Sequence, residues 1–246
     1  MKSKFDIEYK ESLFLNLHLP ESDEFDVFVY FHGGGLSSGG RGGVEVFAET
    51  LAKRNIATAS VAYRLYPEAK FPDFIVDAAD SIKWIKDNIA NYGNCKRIFV
   101  GGSSAGGYIS MMLCFDARFL GAVGMKPTDI AAYIHDAGQP TSHFRVLAEL
   151  GKDSRRLIVD ETAPMYFVGL DEEYSPMLFI VSDEDMFARY EQTMLMVKTL
   201  EHFGHKDKVF VDVQHSKHCK YVYKKDEEGN GVFANTMLAF LDKINK

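Results

Sequence analysis

One stretch constrains this chain more than any other: Arg97-Ile98-Phe99-Val100-Gly101-Gly102-Ser103-Ser104-Ala105-Gly106-Gly107. An apolar, strand-like run breaks into glycines around a serine pair and resumes as a helical pattern from Ala105 to Cys114. Gly102-Ser103-Ser104-Ala105-Gly106 fits G-x-S-x-G, in which glycines two positions either side of the serine let strand turn sharply into helix. Ser104 is therefore the predicted nucleophile. The turn lifts its hydroxyl clear of the sheet, and the start of the helix offers unpaired N–H groups to developing negative charge. Ser103 is offset by one position and lacks the second glycine.

Glycine-rich turns between strand and helix are common, so the weight comes from a second signal upstream. Phe25-Asp26-Val27-Phe28-Val29-Tyr30-Phe31-His32-Gly33-Gly34-Gly35 is again a strand-like run ending in glycines. Only glycines let such a backbone approach a reacting oxygen closely enough to donate N–H groups to it.

The 246 residues, 46% of them hydrophobic, suffice for one substantial core, and a single domain over residues 1–246 is expected. A net charge of −7 argues against nucleic acid or an anionic membrane as partner, since both reward clustered Lys and Arg. The mixed-sign run Lys224-Lys225-Asp226-Glu227-Glu228 reads as a solvated loop. The N-terminal residues contain no apolar h-region, and no uninterrupted apolar span is long enough to cross a bilayer, so a cytoplasmic protein without membrane insertion is expected. Cys95, Cys114 and Cys219 are widely spaced and form no C-x-x-C pair, which predicts neither a disulfide framework nor a zinc site.

Along the chain, Phe5 to Tyr9 and Leu13 to Leu19 alternate apolar with polar residues and predict an exposed antiparallel hairpin. Phe25 to Phe31 predicts a strand covered on both faces, Val44 to Arg54 a helix, and Ala57 to Tyr63 a strand. The prolines of Tyr63 to Pro72 mark an ordered loop, and Asp73 to Asn91 a long helix. After the serine turn come strands at Ile130 to His135, Pro176 to Ser182 and Lys208 to Gln214, with helices at Gln192 to Phe203 and Val232 to Ile244. Strands alternating with helices define an α/β chain with a mostly parallel, doubly wound sheet of about eight strands.

With both glycine motifs placed, the sequence resembles the α/β-hydrolase fold, and more narrowly the hormone-sensitive-lipase-like carboxylesterases. Phe31-His32-Gly33-Gly34-Gly35, Tyr63-Arg64-Leu65-Tyr66-Pro67-Glu68, Phe71-Pro72 and Gly102 to Gly107 look like that group's consecutive landmarks, over Val27 to Met112. Members usually carry a helical cap before the His-Gly-Gly-Gly loop, and here only the short hairpin precedes it. The chain is in this respect more similar to capless acetyl- and feruloyl-esterase relatives that remove acyl groups from sugars. The Gly138 to Glu161 insertion, with Phe144, Val146, Leu147 and Leu150, is a candidate lid from another part of the chain.

The resemblance implies an order of serine, acid, histidine. Leu178 to Asp185 resembles the family's apolar strand followed by G-x-x-D, with Ser182 in place of the glycine, and this register selects Asp185. Asp183 is the next candidate and Asp136, at the end of an earlier strand, the third. Beyond the last strand stand His215 and His218; the spacing past Val213 and the following Tyr221 resemble the family's histidine loop and select His218. His18, His143, His202 and His205 read as surface or packing residues.

On this reading His218 takes the Ser104 proton, Asp185 orients the imidazole, and the N–H groups of Gly34, Gly35 and Ala105 hold the oxyanion. The resemblance implies hydrolysis of a small-molecule ester, with no cofactor or metal. The same triad serves thioesterases, formamidases and peptidases, and a hydrolase scaffold also serves as a non-catalytic small-molecule receptor, usually with a triad residue lost. An edge strand or the last helix leaves room for a homodimer.

Overall fold

The computed structural model describes residues 1–170 and 173–245. Its eight strands are β1 (Lys2–Lys10), β2 (Leu13–Leu19), β3 (Glu24–Phe31), β4 (Ile56–Val61), β5 (Asn94–Ser103), β6 (Ala132–Asp136), β7 (Met177–Glu184) and β8 (Lys208–Lys217). They form one sheet in the order β1-β2-β4-β3-β5-β6-β7-β8. β1 and β2 pair antiparallel, β2 joins β4 antiparallel, and every pairing from β4 through β8 is parallel.

The unbroken apolar run of β3 follows from cover on both faces. Val27, Val29 and Phe31 point into one cluster, shared with α2 (Asp73–Asn88), α3 (Ala105–Phe115) and α6 (Arg189–His202). Phe28 and Tyr30 point into the other, against Phe47 of α1 (Glu45–Ala52) and Phe233 of α7 (Val232–Ile244). Tyr30 and Phe47 meet edge to face with centroids 4.9 Å apart. Two further short helices, α4 (Ala117–Ala122) and α5 (Phe144–Glu149), lie in the connections. No helix among the described residues is long and apolar enough to cross a membrane.

Several boundaries differ from the sequence-based expectation. The hairpin is not wholly exposed: β2 enters the sheet beside β4, and Leu13, Leu15, Leu17 and Leu19 are buried while β1 remains largely open. The helix expected over Asp73 to Asn91 is α-helical only to Asn88 and ends as a 3₁₀ turn, Ile89–Asn91. β6 starts at Ala132 rather than Ile130, and α6 starts three residues before Gln192. β8 runs past Gln214 to Lys217, so that His215 lies within the strand.

The Gly138 to Glu161 insertion lies against the helix that follows the serine turn. A Cβ on Gly138 would stand 2.5 Å from the Gly107 carbonyl carbon, so the two backbones are in contact. Val146 and Leu147 are fully buried, Leu150 is exposed, and His143 packs on Tyr108 while its Nδ1 accepts the Arg145 N–H at the start of α5.

Candidate active site

The parallel pairing of the central strands β3 and β5 brings both glycine motifs to the same C-terminal end of the sheet, Phe31 standing opposite Gly102. A strand that must become a helix at once leaves one residue in a backbone conformation it would not choose: Ser104 has φ 57°, ψ −112°. The flanking glycines are required by contact. A Cβ on Gly106 would meet the Phe31 carbonyl oxygen at 1.9 Å. The Ser104 N–H donates to the Asp136 carbonyl at 2.8 Å, which fixes the turn to β6.

The His32-Gly33-Gly34-Gly35 loop lies directly over this turn, with the Cβ position of Gly33 only 3.2 Å from the Ser104 Cβ. Gly34 and Gly35 take φ of 123° and 64°, and the Gly34 carbonyl accepts the N–H groups of Ser37 and Ser38. His32 stacks on Tyr63 at 4.4 Å, and the Tyr63 hydroxyl donates to the His32 carbonyl. Among the described residues, the N–H groups of Gly34, Gly35 and Ala105 have no protein acceptor, which leaves all three available to a ligand oxygen.

From the far side of the sheet, the loop after β8 carries His218 to Ser104. Nε2 stands 2.8 Å from Ser104 Oγ, and Nδ1 stands 2.6 Å from Asp185 Oδ1. A carboxylate can only accept, so Nδ1 holds the proton and Nε2 faces the serine hydroxyl as an acceptor. The side chain of Asp185 is 1% exposed, and burial alone would raise its pKa. Hydrogen bonds from His218, the Met186 N–H and the Ser182 hydroxyl outweigh that and lower it, so the group is ionised at neutral pH.

The other candidates lie elsewhere. Asp183 is exposed and accepts the His215 and Ser216 N–H groups at 2.9 and 3.1 Å, tying β8 to β7. His215 is exposed, with φ 54°. Ser103 points the other way, taking a hydrogen bond from Tyr30 at 3.0 Å. Asp136 is fully buried and accepts the Tyr221 hydroxyl. Among the described residues no cluster of three or more His, Cys, Asp or Glu is arranged to hold a metal.

Asp136 yields a pH prediction. Burial raises its pKa from 3.8 to about 6, only partly offset by the Ser103 and Tyr221 hydroxyls and by His218. The folded protein thus binds more protons than the unfolded chain between those values, and stability falls as pH rises through that window. Asp136→Asn keeps an acceptor for Tyr221 without the charge. It is expected to exceed the wild type in stability by up to about 3 kcal/mol at pH ~8, the advantage shrinking to nothing below pH ~4. Thermal unfolding across that range is the measurement, and a pH-independent difference would refute the assignment.

The sequence reading did not find Arg189, nor the donor role of Ser182. Ser182 was visible only as a departure from the expected glycine; its hydroxyl lies 2.9 Å from Asp185 Oδ2. Arg189 is 4% exposed and spans to the Ala137 carbonyl and Gln139 Oε1. A charge in the first turn after the Asp185 loop was its only signal.

Fold and glycine loops together define an α/β-hydrolase scaffold. The alpha/beta hydrolase fold family matches residues 28–218, and the chain belongs to that family. It is 41% identical to Carboxylesterase NlhH of Mycobacterium tuberculosis over 101 residues, covering 40% of this chain and 32% of that protein. It is 31% identical over 124 residues to Probable carboxylesterase 7 of Arabidopsis thaliana, covering 44% and 40%. The matched region thus spans about a third of the length of the first of these curated relatives. Among solved structures, a truncated carbohydrate esterase from gut microbiota superposes with a TM-score of 0.83 at 18% identity, covering 100% of this chain and 97% of that one. Esterase B of Lactobacillus rhamnosis gives 0.79 at 17% identity, covering 98% and 85%.

Proposed function

We propose that this protein is a serine carboxylesterase that cleaves short or aromatic acyl groups from polar alcohols, acylated sugars among them. The observation that carries the reading is the continuous chain from Ser104 Oγ through the His218 ring to Asp185, with spans of 2.8 and 2.6 Å, beside three unpaired backbone donors. His218 Nε2 takes the Ser104 proton as Oγ adds to the ester carbonyl. Asp185 holds the imidazole in its Nδ1–H form and stabilises the imidazolium. The N–H groups of Gly34, Gly35 and Ala105 receive the oxyanion, roughly 3 kcal/mol for each donor. The imidazolium protonates the departing alcohol, leaving an acyl-serine, and water activated by His218 then releases the acid.

The carboxylesterase names of the sequence relatives and the carbohydrate esterase among the structural neighbours support the same class. A receptor on this scaffold would have no use for an intact proton chain. Labelling by a fluorophosphonate probe tests the class: modification confined to Ser104 is expected, and absence of labelling in folded protein would defeat it.

Substrate size follows from the site's surroundings. Val146 and Leu147 of the 138–161 segment are fully buried and turn their apolar surface into the core, which leaves little of it for a long acyl chain, and each methylene gains at most ~0.8 kcal/mol where an apolar wall exists. In a p-nitrophenyl ester series from acetyl to palmitoyl, kcat/KM is expected to peak at short chains. A steady rise with length, or activation at a lipid interface, would make α5 and its flanks a lipase lid instead.

A further inference from the structure

A cleft of about 520 Å³ opens beside the Ser104–His218–Asp185 chain, between the α5 segment and the loop that enters α6. Two contacts join it to the catalytic centre. Met186, on one wall, donates its N–H to Asp185 Oδ1 at 2.7 Å. Phe144, on the other, ends 3.2 Å from the Cβ position of Gly35.

The polar lining of this cleft is cationic. Arg155, Arg156 and Arg189 contribute to it, and among the described residues no Asp or Glu does. Arg145, next to Phe144, adds a fourth guanidinium close by, over the Tyr66 ring and 3.3 Å from Ser37 Oγ. Arg155 is paired with Asp153 at 2.7 Å. Among the described residues, Arg145, Arg156 and Arg189 have no carboxylate within 4.0 Å. Arg189 is the telling member. It is 4% exposed, and among the described residues its Nη atoms reach neutral oxygens and its Nε has no hydrogen-bond partner.

Asp185 is the nearby carboxylate whose field favours the Arg189 charge, but it lies beyond 4.0 Å and is engaged by His218, so burial still outweighs it and an unpaired buried guanidinium is costly. The chain carries 35 acidic residues against 28 basic ones, so carboxylates are plentiful, yet none among the described residues lines this cleft. A site that keeps unpaired guanidiniums in an otherwise acidic protein is arranged for an anion supplied from outside. The planar fork of arginine matches a carboxylate. Phe144, Leu157 and Phe187 supply apolar surface for the carbon skeleton that bears it.

We propose that the cleft is a subsite for a carboxylate borne by the substrate, so that the preferred esters are anionic. This rests on the esterase reading of Ser104 and deepens it. The carboxylate can belong to the acyl or to the alcohol portion, and two matched pairs of esters distinguish them. Mono-p-nitrophenyl adipate against p-nitrophenyl hexanoate reports the acyl side; p-acetoxybenzoate against p-acetoxybenzamide reports the alcohol side.

The charged member of one pair is expected to be favoured at least about tenfold in kcat/KM, mainly through KM. That ratio should fall toward one in Arg156→Gln and Arg189→Gln, and as salt rises to about 0.5 M. Arg156 is exposed, so its variant remains informative if Arg189→Gln does not fold. A wild-type enzyme that hydrolyses the neutral esters but prefers neither charged partner overturns the subsite and leaves the esterase reading standing. If no ester is turned over, the esterase reading fails, and adipate binding still decides the cleft. Stabilisation of the wild type by adipate, weakened in Arg156→Gln, supports the subsite, and no stabilisation overturns it.

Discussion

Replacing Ser104 by alanine is expected to lower kcat for p-nitrophenyl acetate about a million-fold, because a nucleophile and base that act as one unit lose nearly all their effect when either is removed. What survives is the contribution of the backbone donors and of substrate binding. The fold should be retained. The turn at Ser104 is held by its own N–H on the Asp136 carbonyl and by the Gly106 backbone against Phe31, and neither contact uses the hydroxyl. Ser103→Ala is the internal control: it removes the acceptor for the Tyr30 hydroxyl and a hydroxyl bonded to Asp136, a loss of about 1–3 kcal/mol in stability with turnover little changed. Steady-state rates and thermal unfolding of both variants decide the matter. Normal turnover in Ser104→Ala, or a dead Ser103→Ala beside an active Ser104→Ala, would overturn the assignment of the nucleophile.

The α/β architecture was legible because its signals are local. Strands covered on both faces read as apolar runs, and the two glycine motifs announce backbone that must pass close to other backbone, as Gly106 does against Phe31. What the sequence obscured depends on contacts distant along the chain. The alternation of β2 is correct for a half-buried strand, but nothing within Leu13–Leu19 reveals that its partner is Val61 and its neighbours rather than solvent. For a similar reason, the end of β8 lies beyond the Gln214 that the sequence pattern predicts. Gln214 to Lys217 is polar, and what keeps it in the sheet is the Asp183 carboxylate on the neighbouring strand, which takes the His215 and Ser216 N–H groups.

The site residues divide in the same way. Ser104, Asp185 and His218 stand in segments whose order and spacing resemble a known family, and the fold brings His218 within hydrogen-bonding distance of both other side chains. Arg189 carries no such pattern. Its position is defined by the loop at Ala137 and by Gln139, 52 and 50 residues earlier, which no periodicity along α6 encodes.

The roles of the neighbouring aspartates separate most sharply by amide substitution. Asp185→Asn keeps the shape of the side chain but presents either an amide N–H or a neutral oxygen to His218 Nδ1. The ring can then settle in the tautomer that places its proton on Nε2, where it can no longer accept from Ser104. An acid-to-amide change of this kind in a triad lowers kcat by about four orders of magnitude. Asp183→Asn acts at a distance from the proton chain. It weakens the brace on the His215 and Ser216 N–H groups, at a small cost in stability because the carboxylate is exposed, and at less than about tenfold in kcat. His215→Ala, which removes an exposed side chain, is expected to be milder still. The comparison requires kcat and KM for the three variants on one short-chain ester, with unfolding midpoints measured alongside. Were Asp183→Asn the inactive variant and Asp185→Asn near normal, the 2.6 Å contact between Asp185 and His218 would be a structural tie, and the acid would have to be sought at Asp183.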